Sequence, residues 1–251
     1  MISVCIATYN GDSFIRRQLE TILPQLSPDD EIIISDDGST DKTLSIIQAL
    51  SSPLIKVYQN TGIHGYTPNF ENALRMAKGD YIFLCDQDDV WLPNKVAICM
   101  KLLQTYDMVI SDAELVDEQE KKISSSFYQL RKPYRSFWGN MLKFGYIGCC
   151  MCFRRCILER AMPFPKNHRY CTHDNWLTLV SLLYYSTKVV NDKLVLYRRH
   201  GKNASNGFVN LHESFWFRLS YRTYLLKNLL QRISCGRNNK HVLVHGVSNG
   251  K

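Results

Sequence analysis

Phe83–Trp91 reads FLCDQDDVW, an apolar run that breaks into three carboxylates within four positions. With Tyr81 and Ile82 before it, the run has the length and composition of a buried strand over 81–85. Asp86, Asp88 and Asp89 then stand at its carboxyl end. Like charges this close are costly unless a positive partner sits among them. The fold therefore turns on what precedes and follows this strand, and the chemistry on what the carboxylates face.

Working outward, the first 113 residues alternate between two periods. ISVCIA (2–7), EIIIS (31–35), LIKVYQ (54–59) and MVISDA (108–113) read as strands. Between them, residues 12–26, 41–50, 67–77 and about 93–104 read as helices, with Asp, Ser or Thr opening the second and Pro93 in the first turn of the last. Strands and helices in strict alternation predict right-handed βαβ units and a mostly parallel sheet. In such sheets ligands bind at the carboxyl ends of the strands. That is where TYNG, DDGSTD and CDQDD collect, whereas the opposite strand ends carry no such set.

The remainder is less regular. Residues 136–144 read as a short helix, 146–153 (YIGCCMCF) as a strand and 174–185 as a helix; KVVND and KLVLYRRH read as a short strand pair. From Leu211 to Ile233, Leu and Phe recur at helical spacing with Arg and Lys between them, and the last stretch, CGRNNKHVLVHGVSNGK, has no clear period and reads as a loosely held tail.

Charge divides the chain. Residues 1–120 carry 8 Lys/Arg against 19 Asp/Glu, and residues 121–251 carry 23 against 4. The first part calls for a cation and the second for an anionic partner or surface. No apolar run approaches the roughly 18–20 residues that cross a bilayer. The N-terminal ISVCIA lacks a basic leader and is too short for a signal peptide, so a cytoplasmic location is expected. Nine irregularly spaced cysteines do not resemble a disulfide framework. Cys149, Cys150, Cys152 and Cys156 have no second half-site to complete a zinc centre, and small buried hydrophobes fit them better than zinc ligands.

Each acidic element alone has a bland explanation. DQDD could be a solvated turn before a helix, DDGSTD an ordinary turn with Ser39 or Asp41 as a helix cap, and Asp174 a cap at the start of an apolar helix. Alternate residues Asp86 and Asp88 at a strand end can also point to one side. Oxygen ligands there suit a hard divalent cation, Mg²⁺ or Mn²⁺.

Taken together, ATYNG (7–11), DDGSTD (36–41), DQDDVW (86–91), HDNWL (173–177) and YRRHGKNAS (197–205) resemble, in order and spacing, the family 2 glycosyltransferases. The likeness extends over about residues 2–205 and is nearest to rhamnosyltransferase-like members that build bacterial surface polysaccharides. It implies an α/β chain with the GT-A fold, a mostly parallel sheet with flanking helices, and a C-terminal helical extension. Residues 1–205 would form the catalytic domain, with a nucleotide-sugar part (1–113) and an acceptor-side part (114–205), and 206–251 the basic aromatic extension. Tyr9 would lie beside the nucleobase, Asp37 would bond to it with Asp36 adjacent, and Ala7 would offer backbone contacts only. Asp86 would approach the ribose and Asp88 the metal, with Asp89 ordering the loop. Asp174 falls at the catalytic-base position and His200 where a late histidine meets the metal or diphosphate, with Arg198 beside the diphosphate.

These roles suit inverting sugar transfer from a nucleotide-diphosphate donor to a glycan hydroxyl, the acceptor being lipid-linked. A cation stabilises the leaving diphosphate and a base takes the acceptor proton. Two other functions compete: a nucleotidyltransferase, which would want a glycine-rich basic phosphate loop that ATYNGDSF lacks, and a non-catalytic nucleotide-sugar or glycan-binding module. Nucleic-acid binding is opposed by the acidic open edge of the sheet. The helix at 211–233, aromatic and basic, fits either packing on the catalytic domain or lying on an anionic membrane.

Overall fold

The computed structural model describes residues 1–201 and 214–233. The expected tail at 235–251, the first residues of the late helix (211–213) and residues 202–205 of the last motif lie outside them.

The elements in chain order are β1 (Ile2–Thr8), α1 (Ile15–Ile22), β2 (Glu31–Asp36), α2 (Thr43–Ala49), β3 (Ile55–Gln59), α3 (Tyr66–Met76), β4 (Tyr81–Asp86), β5 (Val90–Trp91), α4 (Lys95–Leu103), β6 (Met108–Val116), β7 (Lys122–Ser124), α5 (Phe127–Arg131), α6 (Phe137–Leu142), β8 (Met151–Arg154), α7 (Cys156–Ala161), α8 (His173–Tyr184), β9 (Thr187–Arg198) and α9 (Phe215–Gln231). The strands form one sheet in the order β3-β2-β1-β4-β8-β6-β9-β5, with β7 on β6. β1, β2, β3 and β4 are parallel, as their helical crossovers require. β8 enters antiparallel between β4 and β6, and β9 then runs parallel to β6.

β1 and β2 are apolar almost throughout and buried on both faces, the pattern of a strand covered by helices on either side. α1 turns Ile15, Leu19 and Ile22 onto the sheet, at the i, i+4, i+7 spacing of one helix face. At the opposite edge from the acidic loops, Glu31 is buried and binds Ser3 Oγ, Lys78 N and Lys56 Nζ at 2.6, 2.6 and 2.7 Å. It thereby joins β1, β2, β3 and the entry to β4.

Two elements differ from the sequence reading. KVVND and KLVLYRRH are one continuous strand, β9, rather than a pair. Met108 faces Thr187, but Asp112 faces Lys193 and Glu114 faces Leu196, so β9 absorbs extra residues as a bulge. The polar Asn191-Asp192-Lys193 bends the strand without reversing it. Residues 146–153 also divide: Gly148–Cys150 is a 3₁₀ turn and only Met151–Arg154 is strand. Cys149, Cys150 and Cys152 are nonetheless buried, and Cys156 partly so.

Late in the chain, α9 packs through Leu225 and Leu229, both fully buried. Its Tyr221 accepts a 2.5 Å bond from Asn175 Nδ2, and its Leu229 carbonyl accepts from Tyr184 Oη at 2.6 Å. Among the described residues no helix is long and apolar enough to cross a membrane.

Candidate active site

The sheet register assembles the site. Ala7 lies opposite Asp86 on one side and Ser35 on the other, and Thr8 opposite Asp36. The carboxyl ends of β1, β2 and β4 therefore finish level, and the loops that follow them meet.

Those loops are cross-tied. Asp36 is 2% exposed and accepts from Ser39 N and Oγ, Gly38 N and Thr8 Oγ1. Gly38, at φ +87, supplies the left-handed residue that this turn needs. Asp37 accepts from Asn60 Nδ2 at 2.7 Å, Gly65 N at 2.7 Å and faces His64 Nδ1 at 3.1 Å, so it secures the loop at 60–65. Asn10 links the first two loops, donating from its N to Ser39 Oγ and accepting from Thr40 N. Tyr9 projects outward, 56% exposed.

The sequence reading missed Gln87. Its side chain brackets Tyr9, accepting from Tyr9 N at 2.9 Å and donating to Tyr9 O at 3.0 Å. A Cβ on Gly11 would stand 2.3 Å from Gln87 Oε1. The glycine of ATYNG thus leaves the room that the Gln87 amide occupies, a signal hidden in the pairing of two motifs.

The three carboxylates do not share one direction. Asp88 Oδ2 faces His200 Nε2 at 2.7 Å. Asp89 is 1% exposed, and its Oδ1 accepts from Arg198 N at 2.9 Å. Asp86 instead converges with Asp89 and the Cys149 thiol, one ligand atom from each lying within 4.8 Å of the others. Burial first, then the charges of Asp89, Asp88 and Asp174, push the Asp86 carboxyl well above the usual range; burial and Asp88 do the same for Asp89. One Asp89 oxygen, Oδ2, is buried with no N–H or O–H donor among the described residues, and the Cys149 thiol lies close to this carboxylate.

Behind this loop stand two cations. Arg198, 3% exposed, donates to Asp88 O at 2.7 Å, Glu118 O at 2.6 Å and Glu120 Oε1 at 3.2 Å. The guanidinium expected beside a diphosphate is engaged within the protein and fixes the acidic loop from below. Lys95, 1% exposed, donates to the Cys149 carbonyl at 2.9 Å and lies over the Trp91 ring. Phe14, also unread in the sequence, is the platform for this corner. His200 stacks on it with ring centroids 4.7 Å apart, and the Arg198 guanidinium lies 5.1 Å from its ring.

Asp174 sits in the first turn of α8, where its Oδ1 accepts from Thr172 Oγ1 and Asn175 N. It bonds its own helix start as a cap would, yet its charge still acts on Asp86 and on Tyr66. His173 beside it is buried, stacked 4.1 Å from Phe70, with both ring nitrogens unpartnered among the described residues. Burial lowers its pKa, so its ring is held neutral. Trp91 and Trp176 are core residues, 2% and 0% exposed.

At one edge of the mixed sheet, the loops after β1, β2 and β4 thus bring Asp36, Asp37, Asp86, Asp88 and Asp89 together. The description "Glycosyl transferase family 2" matches residues 3–161, and the chain belongs to that family. Over 214 residues it is 30% identical to WfaP of Escherichia coli, a UDP-Glc:alpha-D-GlcNAc-diphosphoundecaprenol beta-1,3-glucosyltransferase, covering 84% of this chain and 82% of that one. It spans 66% of the length of another curated glycosyltransferase. Among solved structures it resembles S. aureus TarS residues 1–349 with UDP-GlcNAc at TM-score 0.67 and 19% identity, over 92% of this chain and 72% of that one. Glucosyl-3-phosphoglycerate synthase from Mycobacterium tuberculosis, with Mn²⁺, UDP and glucosyl-3-phosphoglycerate, superposes at TM-score 0.58 and 17% identity, over 93% and 80%. These structural likenesses establish the GT-A fold.

Proposed function

We propose that this glycosyltransferase is inverting and dependent on a divalent metal, and that it moves a sugar from a nucleotide-diphosphate donor to a hydroxyl of a growing, lipid-linked glycan. The observation that carries the reading is the level finish of β1, β2 and β4, which sets Asp88, facing His200 at 2.7 Å, beside the Asp36–Asp37 turn. Family membership removes the nucleotidyltransferase alternative.

The residues fit a hard cation. Asp88 Oδ2 and His200 Nε2 meet at 2.7 Å, and in the same loop Asp86 and Asp89 bring two more carboxylates together. Asp88 and His200 would hold Mg²⁺ or Mn²⁺, with Asp86 on the ribose side. When bound, the ion neutralises charge on the departing diphosphate. Tyr9 offers its exposed ring to the nucleobase, Ala7 its backbone and Asp37 a carboxylate, while Asp36 holds the turn that presents them. Arg198 serves the donor indirectly, by fixing the Asp88 carbonyl. Asp174 takes the proton of the acceptor hydroxyl as that oxygen attacks the anomeric carbon. Attack opposite the diphosphate inverts the configuration.

The lipid-linked acceptor is supported by the substrate named for the E. coli relative. Rhamnose is suggested by the motif likeness and glucose by that relative, so a panel of dTDP- and UDP-sugars is the experiment for the donor. For the chemistry, Asp174→Asn is expected to retain the donor-induced thermal shift while transfer falls about 10²–10⁴-fold. Asp88→Asn should lose the Mn²⁺-dependent shift itself. An Asp174→Asn enzyme with undiminished transfer would remove the base assignment.

A further inference from the structure

Among the described residues, several of the most exposed apolar side chains gather on two helices. On α6, Trp138 is 66% and Leu142 63% exposed; on α9, Phe215 is 69%, Trp216 73% and Leu230 54% exposed. The two helices are joined by Arg222, which donates to the Met141 and Leu142 carbonyls at 3.1 and 2.8 Å. The inner face of α9 is spent on the domain through Tyr221, Leu225 and Leu229. Its outer face, at Trp216, Leu219, Thr223, Lys227 and Leu230, meets no partner element among the described residues and forms a shallow open trough at its C-terminal half. Solvent-facing tryptophan and leucine at this spacing call for an apolar cover.

Charge chooses the cover. Residues 121–158 and 214–233 contain no Asp or Glu at all. Lys132, Arg135 and Lys143 are exposed around α6, and Arg218 and Lys227 along α9. Two such surfaces facing each other would place like charges together, which opposes a second copy of the chain as the occupant. Cationic residues around inserting aromatic side chains instead match the headgroup region of an anionic bilayer. The patch also adjoins the acceptor side of the cleft, since Tyr221 of α9 contacts Asn175, the neighbour of Asp174.

We propose that α6 and the outer face of α9 form a docking surface for an anionic phospholipid bilayer, with Trp138 and Trp216 entering the headgroup layer and the surrounding Lys and Arg meeting lipid phosphates. This deepens the lipid-linked acceptor reading but stands on its own observations. The test is flotation of the full chain with vesicles of phosphatidylglycerol and phosphatidylethanolamine, against phosphatidylcholine alone, at two salt concentrations. Binding is expected to the anionic vesicles only and to weaken with salt. Brominated lipid should quench tryptophan fluorescence, and because Trp91 and Trp176 are buried the quenching reports Trp138 and Trp216. The double variant Trp138→Ser/Trp216→Ser should keep its thermal stability and bind about tenfold or more weakly. Lys143→Glu/Lys227→Glu should lose the preference for anionic lipid. No flotation, or flotation unchanged in the double variant, overturns the proposal. A dimer in light scattering that the double variant dissociates, without vesicle binding, assigns the face to a second copy. Vesicle binding is read without turnover, so its failure leaves the transferase assignment intact, and an inactive chain that floats leaves this surface intact.

Discussion

Arg198 ends β9 with its guanidinium on three acceptors, Asp88 O, Glu118 O and Glu120 Oε1, while its own N–H donates to Asp89. A lysine carries a point charge on a flexible stem and cannot serve three diverging acceptors from one buried position. Arg198→Lys should cost about 1–3 kcal/mol, a fall in Tm of a few degrees for a chain this size. It should also weaken Mn²⁺-dependent nucleotide binding, because the Asp88 carbonyl loses its anchor. Differential scanning fluorimetry with and without nucleotide separates two roles: a residue that only touched the diphosphate would lower affinity and leave the unliganded Tm unchanged. This strut could not be read in the sequence, where YRRH shows cations beside a histidine but not which one turns inward. Asp36, Asp37, Asp86 and Asp88 were legible as strand-end acids. Gln87 and Phe14 were not, because each acts on a residue of a different loop, Tyr9 in one case and His200 in the other.

At the scale of elements, the contact between the 148–150 turn and the start of α8 bears most on the chemistry. A Cβ on Gly148 would lie 2.5 Å from His173 Nε2 and 3.3 Å from Cδ2. The His173 ring is buried and stacked on Phe70, so it has little room to give way. Gly148→Ala should therefore displace the first turn of α8, which carries Asp174, at about 1–3 kcal/mol of overpacking. Transfer should fall more than donor affinity does; steady-state kinetics with a full transfer rate would show that the turn moves instead of the helix. The same region explains where sequence periodicity stops being informative. In the first 113 residues strands and helices alternate and each crossover returns the chain to one parallel sheet, so local pattern and tertiary role coincide. Beyond them, β8 pairs with β4 and β6 far away in sequence, and the 3₁₀ turn at Gly148 exists for a contact with residue 173. The Asn191-Asp192-Lys193 bulge has turn composition although its strand continues, since a bulge and a turn both favour polar residues.

Across the whole molecule, the uneven charge sets the conditions for donor binding. Residues 1–120 hold 8 Lys/Arg against 19 Asp/Glu, and on the proposed function their loops after β1, β2 and β4 are the ones a nucleotide would meet. Two buried cations behind this edge, Arg198 and Lys95, are bound inside the protein, and burial raises the pKa of Asp86 and Asp89. A diphosphate approaching this edge alone meets net negative charge, so its binding should require a divalent cation. In EDTA, a saturating nucleoside diphosphate should shift Tm by little. With Mn²⁺, ligand at a hundred times its Kd should add about 2.7 kcal/mol, or about 5–10 °C for a chain of this length. Asp88→Asn and His200→Ala should each collapse the Mn²⁺ response toward the EDTA value while leaving the unliganded Tm within a few degrees. A full shift in EDTA would mean that the chain neutralises the diphosphate with its own side chains, and the search would then pass to the basic residues of the second half.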